Sequence, residues 1–330
     1  MKLITILIPA YNEAANLPEL KRHLDLLAAN QLPPQAVSSE TEISGRMPAM
    51  TDYDWEFLFV NDGSRDNTLS ALYELRKSDS RVSIVNLSRN FGKENAMLAG
   101  MDYAKGDAVI IMDADLQHPV SAIPEMVYWW ERGYDDVYGR RKQRGKESWL
   151  RKRLSLAFYS MLQGTTKIEI LQNVGDFRLL DRRVIKAICA LRVTQRYTKG
   201  LYCWVGYNKK DILFEQHDRI EGQSSFNFKG LINLAIEGIT CFTTAPLRIS
   251  TIIGFIVSLV SLIYLVAILI KTIFWGDAVQ GFPTLMCTIL LLGGLQLIAL
   301  GIIGEYIGRI FNETKQRPPY IAESYNGNKL

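Results

Sequence analysis

Four short apolar runs, residues 3–8, 55–60, 82–87 and 108–112, each break off into a polar cluster, and stretches of helical periodicity separate them. Such runs alternating with helices predict an α/β fold, a mostly parallel sheet of buried strands with helices on both faces. The clusters are Tyr11-Asn12-Glu13, Asn61-Asp62-Gly63-Ser64, Ser88-Arg89-Asn90-Phe91-Gly92-Lys93 and Asp113-Ala114-Asp115. In an open α/β sheet the carboxyl ends of the strands border the ligand crevice, so the four clusters predict one composite site. The first run is short and stops at Pro9 with no cleavage-like sequence, so it reads as a buried strand and not as a secretion signal.

Charge divides the chain. Residues 251–308 carry three charged side chains, Lys271, Asp277 and Glu305, while the other 272 residues hold 69 of the 72. The mean hydropathy of +0.02 is an average over two unlike parts. Residues 251–270 are 20 without a charge and 282–304 are 23. Each is long enough to cross a hydrocarbon layer about 30 Å thick as a helix. The connector between them holds one Lys and one Asp. The other basic residues lie outside the pair of spans, so the positive-inside rule places both termini in the cytoplasm. Gly293, Gly294, Gly301, Gly304 and Gly308 permit close helix contact and hence a homo-oligomer.

A net charge of +4 does not call for nucleic acid as a partner, but its placement is informative. Residues 140–153 hold eight basic side chains and one acidic. The following helical pattern, 148–163, gathers Leu150, Leu154, Ala157, Phe158 and Met161 on one face, as a helix lying in a membrane interface does. A second amphipathic stretch, 229–248, leads to the first span. Residues 30–54, with Pro33-Pro34 and Gly45, lack periodicity and read as a surface insertion. The four cysteines are dispersed with no C-x-x-C pair, which points away from a disulfide framework or a zinc ribbon.

Asp113-Ala114-Asp115 places two carboxylates on a turn at a strand end. Hard oxygen ligands of this kind suit Mg²⁺ or Mn²⁺, which bind one or two carboxylates together with substrate phosphates. Glu13 and Asp62 at neighbouring strand ends, and Gln117 two residues on, strengthen the expectation of a nucleoside diphosphate site. Lys93 follows Gly92 at a helix start, where backbone N–H groups and an ammonium can face an anion.

These motifs, in this order, resemble those of the GT-A glycosyltransferases of family 2. Gly175-Asp176-Phe177-Arg178-Leu179-Leu180-Asp181-Arg182 and Gly304-Glu305-Tyr306-Ile307-Gly308-Arg309 resemble more narrowly the polyprenyl-phosphate glycosyltransferases, in particular the bactoprenol glucosyltransferases. The resemblance implies that Pro9, Tyr11 and Glu13 border uridine and that Asp62 bonds the base. It implies Asp113 beside the ribose and the metal, with Asp115 and Gln117 completing the metal site and Lys93 facing the diphosphate. Asp176 is the catalytic candidate, as a base, as an orienter of the acceptor, or as an anchor for Arg178. Arg140, Arg151, Ser155, Arg178 and Arg219 are candidates for the acceptor phosphate. Ser225 stands where the family usually carries Lys, and Lys229 is the nearest substitute.

The implied reaction is inverting transfer of glucose from UDP-glucose to undecaprenyl phosphate, dependent on Mg²⁺ or Mn²⁺. Another sugar, such as N-acetylglucosamine, mannose or an aminoarabinose derivative, and a silent nucleotide- or lipid-binding scaffold are the alternatives. The expected layout is a cytoplasmic catalytic domain over 1–228, spans at 249–271 and 282–308 and a cytoplasmic tail at 309–330, as a multi-pass protein of a bacterial inner membrane.

Overall fold

The computed structural model describes residues 1–32, 46–141, 174–193, 196–214 and 281–330, with scattered positions between 247 and 274. Two units are separable: Met1–Gln163 with Ile168–Asn227 and Pro318–Leu330, and a second comprising Gly164–Lys167 and Phe228–Arg317.

The first unit is built on β1 (Lys2–Ala10), β2 (Tyr53–Asn61), β3 (Val82–Leu87) and β4 (Ala108–Ile111), which coincide with the four apolar runs. They pair in parallel in the order β4-β1-β2-β3. Alternation along each strand sorts its side chains into two cores. Ile4, Ile6, Ile8, Phe57 and Phe59 enter one, and Leu7, Leu58 and Val60 the other. The first face is covered by α1 (Leu17–Ala28), α2 (Thr68–Ser78) and α4 (Ile123–Glu131). The second is covered by α3 (Lys93–Tyr103), α5 (Arg182–Ala190) and α6 (Thr198–Trp204). Leu17, Leu20, Leu24 and Leu27 give α1 the apolar stripe that a helix seated on a sheet requires.

The sheet is mixed, which corrects the expectation of a mostly parallel one. β5 (Asp136–Arg141), β6 (Val174–Asp181), β7 (Lys209–Phe214), β8 (Ala322–Tyr325) and β9 (Asn328–Lys329) extend it to the order β7-β5-β6-β4-β1-β2-β3-β8-β9. β6 runs antiparallel to both β4 and β5, and β8 runs antiparallel to β3. Parallel pairing holds where a helix crosses over the sheet between consecutive strands. It gives way at β6, β8 and β9, whereas β7 at the far edge runs parallel to β5.

Two further expectations change. The flank of the expected insertion is packed, because Met50 is buried, its amide donates to Asn30 Oδ1 (3.2 Å), and Trp55 Nε1 donates to its carbonyl (3.0 Å). Residues 33–45 lie outside the described residues. The stretch expected as a tail contains β8 and β9, and Tyr320 before them donates its hydroxyl to Asp102 at 2.6 Å.

In the second unit α7 (Phe282–Thr314) runs past the expected end at 308, through an Arg309–Glu305 pair at 2.9 Å. Within it, Leu291–Thr314 is long and apolar enough to cross a membrane. The described positions of the earlier apolar stretch, among them 252–257, are helical. The expected interfacial stretches, 148–163 and 229–248 apart from Leu247, lie outside the described residues.

Arg178, expected at the acceptor phosphate, is 1% exposed. Its guanidinium pairs with Asp136 at 2.9 Å and lies 3.7 Å from the ring centre of Tyr202. Burial pushes the Asp136 carboxyl up, and Arg178 opposes that shift. The pair is therefore structural, joining β5 to β6. Arg178→Met strands a buried carboxylate and is expected to cost about 3–5 kcal/mol, while adding Asp136→Leu recovers much of it. Thermal melts of the single and double variants check this.

Candidate functional site

The site is assembled by loops that bind one another. Asn12 takes a left-handed φ of 56°, its amide donating to Ser64 Oγ (3.1 Å) while its Oδ1 accepts from the Arg65 amide (2.8 Å). Glu13 closes the turn into α1, with its amide on Thr68 Oγ1 (2.9 Å) and its carboxylate accepting from Asn16 Nδ2 (2.6 Å). Gly63 has φ +64°, and a Cβ there would sit 2.5 Å from the Arg89 carbonyl carbon. Glycine thus lets the loop after β2 lie directly against the loop after β3.

Asp62 fastens those two loops. Its carboxylate accepts from the amides of Phe91 (2.7 Å) and Gly92 (3.0 Å). Burial raises its pKa, and the two N–H bonds offset this only in part. The described role of Asp62 is thus to shape the entry to α3. Gly92 supplies the φ of +89° that starts this helix.

Lys93, the first residue of α3, places its ammonium 2.6 Å from Asp113 Oδ1 and 2.9 Å from Asp176 Oδ2. Strand register accounts for the meeting. Ile111 of β4 pairs with Arg178 of β6, so two residues further along β4 and two earlier on β6 the chain reaches Asp113 and Asp176. An antiparallel neighbour brings its beginning to the end of β4. Burial alone would lower the Lys93 pKa, but Asp176 and Asp113 outweigh it, and the net shift is upward. Burial likewise pushes Asp176 up, yet Lys93, together with Lys199 and Arg178, outweighs it and holds it at about 2. Asp176 is thus ion-paired with Lys93, while Arg178 is ion-paired with Asp136.

His118 was not singled out from the sequence. It is buried, lies flat on Phe177 (centroids 4.9 Å apart, 7° between planes), and its Nδ1 accepts from the Asp113 amide at 3.1 Å. Burial lowers its pKa, so the ring is neutral and its proton resides on Nε2. The remainder of the turn is set by Leu116 at φ 59° and by the Gln117 amide donating to Asp115 Oδ1 (3.2 Å). The only signal in the sequence was the position of His118, five residues after Asp113. Glu94 was also missed; its carboxylate accepts from the Thr198 amide (3.0 Å) and ties α3 to α6.

The structure thus brings together Lys93, Asp113 and Asp176, with the Asp115 turn and the loops bearing Tyr11, Glu13 and Asp62 adjoining. Tyr11 is 42% exposed and Pro9 half-buried. Arg140 lies on β5 opposite Val174 at the start of β6, and pairs with Asp211 at 2.9 Å. Arg151, Ser155 and Arg219 lie outside the described residues. No group of three or more His, Cys, Asp or Glu side chains fit to hold a metal occurs among the described residues. Asp113 and Asp115 offer oxygen donors only, a set that fits Mg²⁺ or Mn²⁺ when a substrate supplies further oxygens.

The glycosyl transferase family 2 model matches residues 5–189, and the model of the GtrB C-terminal hairpin matches 245–310. An uncharacterized glycosyltransferase of Synechocystis is 43% identical over 324 residues, covering 98% of this chain and 96% of that protein. The bactoprenol glucosyl transferase of Shigella phage SfII is 43% identical over 277 residues, 84% of this chain and 90% of its own. Among solved structures, glucosyl-3-phosphoglycerate synthase from Mycobacterium tuberculosis, in complex with Mn²⁺, UDP-glucose and phosphoglyceric acid, aligns with a TM-score of 0.43 at 16% identity. That alignment covers 72% of this chain and 78% of the synthase chain.

His118→Phe keeps the stacking on Phe177 but removes the acceptor of the Asp113 amide. Loss of one such bond is worth about 1 kcal/mol, which lowers Tm by about 2–4 °C in a domain of this size. An unchanged melting curve would show that the turn holds without it.

Proposed function

We propose that this chain, which belongs to glycosyl transferase family 2, transfers glucose from UDP-glucose to undecaprenyl phosphate at the cytoplasmic face of a membrane. The observation that carries the reading is the Lys93 ammonium, at the start of α3, held between Asp113 just past β4 and Asp176 near the start of β6. The printed name of the phage relative supports glucose as the sugar and bactoprenol as the lipid.

The chemistry follows from the charges. A phosphate monoester has its second pKa near ~6, so at neutral pH the acceptor oxygen is already anionic. It attacks the anomeric carbon, the bond from that carbon to the nucleotide oxygen breaks, and UDP departs with the electron pair. One displacement inverts the anomeric configuration, and no proton has to be removed. Asp176, held at about 2, is a weak proton acceptor and serves to keep Lys93 in place. Lys93 remains an ammonium and faces the charge that grows on the departing diphosphate. A divalent cation held by Asp113 and Asp115, with Gln117 close by, would neutralise the same diphosphate. Pro9 at the end of β1, and Tyr11 and Glu13 on the loop that Asn12 and Ser64 tie down, line the uridine side.

For the acceptor, Arg140 is the described candidate, and it reaches a phosphate by exchanging Asp211 for it. Arg151 belongs to the same proposal through the basic composition of 140–153, and Ser155 and Arg219 through the resemblance to the polyprenyl-phosphate glycosyltransferases. The hairpin match over 245–310 supports two spans, with both termini cytoplasmic by the charge rule. A divalent metal requirement and a bacterial inner-membrane location are parts of the same proposal.

The test is transfer of radiolabelled glucose from UDP-glucose into an organic-extractable, mild-acid-labile lipid by the full-length protein. Lys93→Ala is expected to lower kcat about 10²- to 10³-fold. Failure of every nucleotide sugar to label the lipid would sink the enzymatic reading. A pH profile separates the roles further. The rate should fall below about pH 6 as the acceptor phosphate gains its second proton, and Asp176→Asn should leave that midpoint in place. A midpoint that moves in the Asn variant would make Asp176 the base.

A further inference from the structure

The chain after the apolar helix returns to the first unit, and one side chain there reaches toward the donor loop through two buried amides. β8 pairs with β3 through Asn86 opposite Ser324 and Leu87 opposite Ala322, so Glu323 is the extra residue of a bulge. Bulges re-aim side chains. Here the Glu323 carboxylate is turned onto Asn86, accepting from Nδ2 at 2.9 Å. Asn86 Oδ1 in turn accepts from Asn61 Nδ2 at 2.7 Å, and Asn61 Oδ1 accepts from the Ser64 amide at 3.4 Å. Asn61 is 2% exposed and Asn86 7%.

The direction of this chain of bonds is imposed at one end. An ionised carboxylate has no proton to give, whereas an amide side chain can present either its oxygen or its NH₂. Glu323 therefore requires Nδ2 from Asn86, which leaves Oδ1 for Asn61. Asn61 must then supply its own Nδ2, and its oxygen is left to meet the Ser64 N–H. Were the end group a donor, both amides would turn over, and Asn61 would present NH₂ to an N–H. Ser64 also receives the Asn12 amide, so the effect spans the loops after β1 and β2.

We infer that Glu323 is a positioning residue for nucleotide binding, acting through Asn86 and Asn61 to set the Asp62-Gly63-Ser64 turn. The inference rests on the reading of that turn as part of the nucleotide site. Two readouts on the full-length protein keep the two claims apart: hydrogen–deuterium exchange of the Ser64 amide, which needs no ligand, and the Kd for UDP. Glu323→Lys inverts the end group, and Glu323→Gln, whose Oε1 still accepts, is the conservative control.

The Lys variant is expected to speed Ser64 exchange and to weaken UDP binding, each about fivefold, the value of one net hydrogen bond, with Tm lowered by no more than about 2–4 °C. The Gln variant should behave as wild type in both. Wild-type exchange in Glu323→Lys, or equal effects of Lys and Gln that track a fall in Tm, would overturn the inference. If exchange responds but binding does not, the relay reaches Ser64 without positioning the nucleotide, and the inference fails. If the wild-type protein itself does not bind UDP while exchange responds, the relay stands as structure and the nucleotide reading falls.

Discussion

The pairing of β6 against β4 is the constraint on which the site depends. Because β6 runs antiparallel, its first residues meet the last of β4, and Asp176 arrives opposite Asp113 without any loop having to place it. Two carboxylates brought so close repel, and the cation between them is Lys93, delivered by the first turn of α3. α3 can begin there only because Asp62 grips the two amides before it. Beneath the same strand the Arg178–Asp136 pair secures β6 to β5. A slip of one residue in β6 would turn Asp176 and Arg178 to the opposite face together, separating both ion pairs at once.

That arrangement explains how a site with more acid than base remains ordered. Lys93, Asp113 and Asp176 sum to one negative charge, and the burial that disfavours a charged Asp176 is outweighed by Lys93 together with Lys199 and Arg178. The ammonium is the group most stabilised by its surroundings, so it is the one to retain its charge through the pH range of a cell. A site of this kind is suited to a reaction in which both the attacking and departing groups are phosphates, because it has to manage charge and not protons. His118 contributes by remaining neutral. A charged imidazole could not accept the Asp113 amide, and burial between Phe177 and Phe214 keeps it uncharged.

The central strands were legible because four buried parallel strands have to be apolar along their length, and each ends where the sheet meets solvent. The convergence of their polar ends followed from the same rule. What escaped was whatever depends on partners far apart in sequence. Arg178 looks like any phosphate-binding arginine until Asp136, 42 residues away, is seen to hold it. His118 looks like one more polar residue of a turn until Phe177 is found beneath it. Asp62 was singled out as a candidate from its place after β2, but its bonds to the 91–92 backbone needed the β2–β3 neighbourhood to be known. The antiparallel edges escaped too, since β6, β8 and β9 lack the long apolar signature of a strand covered on both faces.

The C-terminal strands address a problem that the central sheet creates. β3 carries the Lys93 loop at its end, and without β8 its outer side would be an open row of N–H and C=O groups, a place for adventitious pairing and for slippage. β8 occupies that row, Tyr325 stacks on Tyr103 of α3 at 5.1 Å, and the Asn326 amide donates to the Ile84 carbonyl at 2.8 Å. Asn326 Oδ1 accepts from the Ile84 amide in return, also at 2.8 Å. The edge is thus held from both the sheet and the helix whose first residue is Lys93. A short segment after the apolar helix therefore limits the freedom of Lys93, because fixing the far end of α3 and the side of β3 leaves the intervening loop little room to move.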